Sequence, residues 1–243
     1  VLLVKHFQKV RGRQNIQLKS QTKTNVRRNF FDKESFVFKS YLRLIWLLCL
    51  MAYSHSHANG LWDGLSSHQQ RSALIKSAQH QYQKQKIHFQ ERAFRSDCSG
   101  FIQGVIWDQG HDLNAFYKTY RWEVNGVALI QKYIERVGQF GKRLKPQKGD
   151  LVFFNQTYDK NKDGLRNDPL THLGIITHID QNHTITFLHH MQGHVQKGYM
   201  NLKLPRIQKR GGKTFNSLLT RSVSQNLAAQ LFEGLGKVYS GAS

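Results

Sequence analysis

The sequence predicts an α+β domain, with helices first and an antiparallel sheet after them. Two observations predict this order. Up to about residue 140, apolar residues recur at helical spacing, and from Lys145 onward the period becomes that of strands divided by short turns. A third observation gives the domain a centre. The run Arg95-Ser96-Asp97-Cys98-Ser99-Gly100-Phe101 opens an apolar helix and carries Cys98, one of only two cysteines in the chain.

Residues 1–36 are basic and polar and predict no fold. Residues 37–58 read as a secretory signal: Lys39 and Arg43, then the apolar run Leu44–Ala52, then small residues Ser56 and Ala58 before a cut. The run is too short to span a bilayer, so no stable membrane insertion is expected once the signal is removed. The signal lies far from residue 1, and Val37 is read as the true translation start. Residues 59–205 are then the folded domain, and 206–243 a basic C-terminal tail with no assignable role. The expected location is exported, periplasmic or extracellular.

The 243 residues carry 36 Lys and Arg against 15 Asp and Glu, a formal charge of +21. Beyond residue 58 the excess is still about twelve positive charges, which favours an anionic partner. No nucleic-acid motif accompanies the charge, so an anionic cell-wall surface is expected and nucleic acid is not. Cys49 lies in the signal, which leaves Cys98 without an internal disulfide partner. A single thiol in an oxidising compartment calls for a reason, and a reactive nucleophile is one.

Taken in order, Ser67–Lys86 has a helical look, with Leu74, Ile75 and Ala78 on one side. Residues 87–96 form a loop. A helix follows from Cys98 to about Gln109, with Phe101, Val105 and Ile106 apolar and Gly110 as its stop. His111–Glu123 is aromatic and irregular (Phe116, Tyr117, Tyr120, Trp122), readable as a packed loop or as one wall of a substrate groove. Asn125-Gly126 opens a helix to about Phe140. Leu151–Phe154, His172–Ile179 and Thr184–Met191 are strands, and Val195–Leu202 is a further candidate.

Cys98 stands at the first turn of its helix, where free N–H groups and the helix dipole favour an anion, so a lowered thiol pKa is expected. Gly100 would let that helix start pack against a neighbouring strand. A thiolate nucleophile needs a base and a group to orient the base. Six histidines fall between 172 and 194, and His172 opens a strand that can face the Cys98 helix. Neighbours on a strand point to opposite faces, so one of His189 and His190 can face the site; His189 shares a face with Ile185 and Phe187. His189, His190 and His194 do not have the spacing of a structural zinc site. The loop Asp159-Lys160-Asn161-Lys162-Asp163-Gly164 matches the first half of a calcium loop, but Leu170 stands where the closing glutamate belongs. Asp168 would have to replace it. Two readings stand: a structural calcium, or a plain polar turn.

Asp97-Cys98-Ser99-Gly100-Phe101, Gly149-Asp150-Leu151-Val152-Phe153-Phe154, His172-Leu173-Gly174-Ile175 and Phe187-Leu188-His189 occur in series over about residues 90–200. They resemble the successive motifs of the NlpC-type cell-wall cysteine peptidases, a group related to the CHAP amidases and peptidases. The resemblance implies a papain-like fold with the nucleophile at a helix start on an antiparallel sheet. It implies hydrolysis of amide bonds in the stem peptides of peptidoglycan, with no required cofactor. It makes Cys98 the nucleophile, His172 the base paired with it as an ion pair, and His189 the residue orienting His172. Asp97 and Ser99 are then supporting residues beside an oxyanion hole that uses the Cys98 N–H. The alternatives are a CHAP-like N-acetylmuramoyl-alanine amidase and a non-catalytic wall-binding module.

Overall fold

The computed structural model describes residues 64–84, 87–89, 92–120, 125–220 and 226–239. The chain divides into two units, Val1–Ala58 and Asn59–Ser243, and every described residue belongs to the second. The leader, the signal segment with Cys49, and Trp122 lie outside the described residues.

The second unit is α+β. Its helices are α1 (Ser67–Lys84), α2 (Cys98–Trp107), α3 (Asn114–Tyr120) and α4 (Gly126–Val137). Two short strands, β1 (His88–Phe89) and β2 (Arg92–Ala93), pair within the segment expected as a loop. Strands β3 (Gln139–Gly141), β4 (Leu151–Phe154), β5 (His172–Ile179), β6 (Ile185–Met191) and β7 (His194–Met200) follow. A small hairpin of β8 (Lys209–Arg210) and β9 (Lys213–Thr214) precedes β10 (Phe232–Lys237). Among the described residues the main sheet has six strands in the order β3-β10-β4-β5-β6-β7, with every neighbouring pair antiparallel. Among the described residues no helix is long and apolar enough to cross a membrane.

Both faces of the sheet are covered, which explains why β4 reads as an unbroken apolar run. Leu151 and Phe153 point to the face under α1, α2 and α4, with Leu173, Ile175 and Leu188. Val152 and Phe154 point to the other, with Ile176, Ile185, Phe187 and Met200. All four β4 side chains are fully buried. Each such phenylalanine contributes about 1.5–3 kcal/mol by leaving water.

The boundary expected at residue 205 is not where the domain ends. Beyond it, Leu219, Ala228 and Leu231 cover the second face of the sheet. Strand β10 then enters between β3 and β4, with Leu235 opposite both Gly141 and Val152. The Tyr239 hydroxyl donates to the buried Asp150 carboxylate, and Gln147 N–H donates to its other oxygen at 2.8 Å. Arg71 of α1 lies over the Tyr239 ring, 4.9 Å from its centroid. The C-terminal segment is thus fastened to the turn that opens β4.

Two helices differ from expectation. The segment expected as irregular between His111 and Glu123 contains α3. Helix α4 stops at Val137 and gives way to β3, because Gly138 leaves helical backbone and the chain pairs with β10.

Candidate active site

Helix α2 owes its start to Asp97. The Asp97 backbone is extended, and its Oδ1 accepts the Gly100 N–H at 2.8 Å and the Ser99 hydroxyl at 2.7 Å. Such a cap contributes about 1 kcal/mol and sets where the helix begins. Its other oxygen, Oδ2, pairs with Arg95 Nε at 2.9 Å. Gly100 has a different role from the expected one. A Cβ there would stand 2.0 Å from the Arg95 carbonyl oxygen, so glycine admits the loop's own backbone rather than a strand. The remainder of α2 is apolar, with Phe101, Ile102, Val105 and Ile106 fully buried, and this fixes the helix against the sheet.

Cys98 is therefore held at the first position of a rigid core helix, as a free and half-buried thiol. It lines a cleft of ≈ 990 Å³ together with His172, His190, Tyr117 and Tyr158. The backbone N–H groups of Leu173, Ser99 and Cys98 itself are placed to stabilise negative charge on sulfur. They do not prevail. Burial, reinforced by the neighbouring Asp97 carboxylate, pushes the thiol up to about 12. The lowered thiol pKa expected from the helix start is thus not found, because desolvation and the capping carboxylate outweigh the helix end.

His172 opens β5, one residue before the Leu173 N–H that reaches the sulfur. Its Nε2 lies 2.7 Å from His189 Nδ1, with the two rings perpendicular and their centroids 5.0 Å apart. That contact needs a close approach of β5 and β6, and Gly174 permits it. A Cβ at 174 would stand 2.8 Å from the Leu188 carbonyl oxygen and 3.2 Å from the His189 Cβ. Both imidazoles are buried. Burial first, and then the neighbouring His190, holds His172 down to about 4. His189 is held well below the usual histidine range by burial and by His172. The pair Cys98 and His172 therefore rests as thiol and neutral imidazole, not as the expected ion pair.

His189 and His190 are both buried, from opposite faces of β6. His189 lies beside Phe187, whose ring centroid is 5.0 Å away, on the face away from α2. His190 lines the cleft itself, with Nε2 3.4 Å from Ser96 Oγ. The expectation that only one of them serves the site is replaced by a division, in which one contacts the His172 ring and the other forms cleft wall. The strand period could separate their faces but could not show that both faces of β6 are covered there.

Among its described residues the aromatic segment contributes Tyr117 to the cleft, while Phe116 packs edge-on against Tyr133 at 5.6 Å. Tyr158, from the loop between β4 and β5, stands half exposed at the cleft, and sequence reasoning missed it.

The acidic loop satisfies its own backbone. Asp159 accepts the N–H groups of Lys162 at 2.7 Å and Gly164 at 2.9 Å, and Asp163 accepts that of Leu165 at 2.7 Å. Asn161 Nδ2 donates to Asp163 at 2.8 Å, and buried Asp168 accepts the Lys160 N–H at 2.7 Å. Among the described residues no group of three or more metal-ligating side chains is placed to hold an ion.

Comparison with family models, with curated proteins and with solved structures finds no match for this chain.

Proposed function

We propose that the protein is an exported, papain-like cysteine hydrolase of the NlpC type that cleaves amide bonds in peptidoglycan stem peptides. One observation carries the reading: a thiol at a helix start shares a cleft with an imidazole whose far nitrogen is already engaged by a second imidazole. With Nε2 directed at His189, Nδ1 is the His172 nitrogen left to act on the thiol. A base at Nδ1 carries its own proton on Nε2, so His172 donates to His189 Nδ1 and His189 is the acceptor.

The neutral resting pair sets the order of events. His172 takes the Cys98 proton as sulfur attacks the acyl carbon, so proton transfer and attack run together. The resulting oxyanion is stabilised by backbone N–H groups at the helix start, that of Cys98 among them. The C–N bond then breaks, His172 returns the proton to the leaving amine, and a thioester remains on Cys98. Water, deprotonated by the same imidazole, hydrolyses the thioester and frees the thiol.

The exposed cations Lys203, Arg206, Lys209 and Arg210 offer a surface for an anionic wall polymer. Export by residues 37–58 would leave a protein whose N-terminal sequence begins at Asn59. A CHAP-like amidase would use the same two residues on a different amide.

The reading is tested by incubating the purified protein with purified peptidoglycan and measuring newly exposed amino groups. Wild type is expected to expose them, and Cys98→Ala and His172→Ala are not. Co-sedimentation with peptidoglycan but no new amines from wild type would replace the hydrolase with a wall-binding module.

A further inference from the structure

The Tyr117 hydroxyl is buried and has no hydrogen-bond partner, although its side chain lines the same cleft as Cys98. Gln103, one turn and a half along α2 from Cys98, stands beside it. The two side chains are close enough to influence each other but are not in hydrogen-bonding geometry. The nearby Asn125 is fully engaged: Oδ1 accepts the Ala128 N–H at 2.8 Å, and Nδ2 donates to the Leu170 carbonyl at 3.2 Å. On this wall of the cleft the Tyr117 hydroxyl is therefore the polar group left without a hydrogen-bond partner, with the Gln103 carboxamide beside it. Val127 and Leu129 of α4 complete the wall with buried apolar surface.

A buried hydroxyl without a partner destabilises the fold. Phenylalanine would fill the same volume without that cost. Burial also holds the Tyr117 phenol far above its ordinary range, so it stays a protonated donor at every physiological pH. A donor hydroxyl beside a carboxamide is complementary to a group that both accepts and donates within a few ångströms. A peptide amide is such a group. The apolar Val127 and Leu129 on this wall suit an uncharged partner.

We infer that Gln103 and Tyr117, backed by Val127 and Leu129, form a subsite for an uncharged peptide amide of the substrate. Tyr117 donates to the acyl oxygen, and the Gln103 carboxamide oxygen accepts the amide N–H. This rests on the reading of the cleft as a peptide-amide hydrolase site. It adds that binding requires an intact amide away from the scissile bond.

The test uses the full chain carrying Cys98→Ala, so that ligands bind without being cut. Two probes are titrated by calorimetry: soluble muropeptides from digested peptidoglycan, and a set of N-acetylated, C-amidated tripeptides. Adding Tyr117→Phe or Gln103→Met is expected to weaken Kd about tenfold, the equivalent of about 1.4 kcal/mol. Without probe, Tyr117→Phe is expected to melt at the same temperature or higher, because it removes an unpaired buried hydroxyl. An unchanged Kd in either variant, or a lower melting temperature for Tyr117→Phe, overturns the subsite. Tripeptide binding that shows these effects, with no muropeptide binding, keeps the subsite and defeats the peptidoglycan reading. Binding of neither probe overturns both.

Discussion

His189 reaches His172 across β6 and β5 with a 2.7 Å contact between Nδ1 and Nε2, and both rings are buried. Two imidazolium ions cannot share such a contact, so at most one of the pair is protonated at any time. With His189 Nδ1 facing His172 Nε2, His189 is the acceptor whenever His172 carries charge.

In the proposed mechanism His189 is a positioning residue, acting through its contact with His172. His189→Leu keeps the volume and removes the acceptor, leaving the His172 ring free to turn. A loss of about 100-fold in kcat is expected, the scale of a small misplacement of a reacting group. His189→Asn restores an acceptor oxygen near Nδ1 and should recover most of it. Equal activity in wild type and His189→Leu would remove the orienting role.

The buried histidines also set an acid limit. His172 is held down to about 4, and His189 and His190 are lowered as well, in each case first by burial. Unfolded, all three return to about 6.5. Between these values the unfolded chain binds protons that the folded one refuses. Their stabilising effect is complete above pH 6.5 and is lost as pH falls toward 4. His172 alone accounts for about 3 kcal/mol across that window. Denaturant unfolding at pH 7 and pH 4.5 should show the loss, and His172→Gln should reduce it. A flat profile would mean that these rings accept protons in the folded state.

Asp97 has two effects that a single substitution separates. Its Oδ1 caps α2, and its charge raises the Cys98 thiol. Asp97→Asn keeps the acceptor and removes the charge. Alkylation of Cys98 by iodoacetamide at pH 8 is expected to speed up several-fold with little change in melting temperature. An unchanged rate would show that burial alone suppresses the thiolate.

Strand β10 is a central part of the sheet, and Leu235 is fully buried in it. Leu235→Ala should cost about 2–5 kcal/mol, and a chain ending at residue 205 should fail to fold. A cooperative transition in that truncated chain would contradict the topology.

The loop from Asp159 to Asp168 offers a cleaner question. Its carboxylates already accept backbone N–H groups. Melting with excess calcium and with chelator is expected to give the same midpoint. A rise with calcium would mean that the ion displaces those hydrogen bonds.

How much of this was legible depends on which residues carried the signal. Leu151–Phe154 and His172–Ile176 announce buried strands by apolar runs, and Phe101, Val105 and Ile106 announce the helix from Cys98 by their spacing. Strand β10 does not announce itself. It reads Phe232-Glu233-Gly234-Leu235-Gly236-Lys237, with two glycines and two charges in six residues. The reason is distant in sequence. A Cβ at Gly236 would stand 2.7 Å from Ile134 Cδ1 and 3.0 Å from the Phe153 ring, so the packed neighbours demand glycine where strand propensity disfavours it. The thiol pKa was misjudged for a related reason. The helix end is visible in sequence, but the burial that outweighs it is a property of the assembled fold. Tyr158 was hidden because a cleft wall has no period, whereas Tyr117 lay in the aromatic segment readable as a groove wall.

The most direct measurement is mass spectrometry of fragments released from purified peptidoglycan by wild type, by Cys98→Ala and by His172→Ala. Fragments are expected from wild type alone, each shorter by cleavage at one stem-peptide amide, while both variants remain folded. Identical fragments from Cys98→Ala would contradict the proposed mechanism, because the bond would then be broken without the thiol.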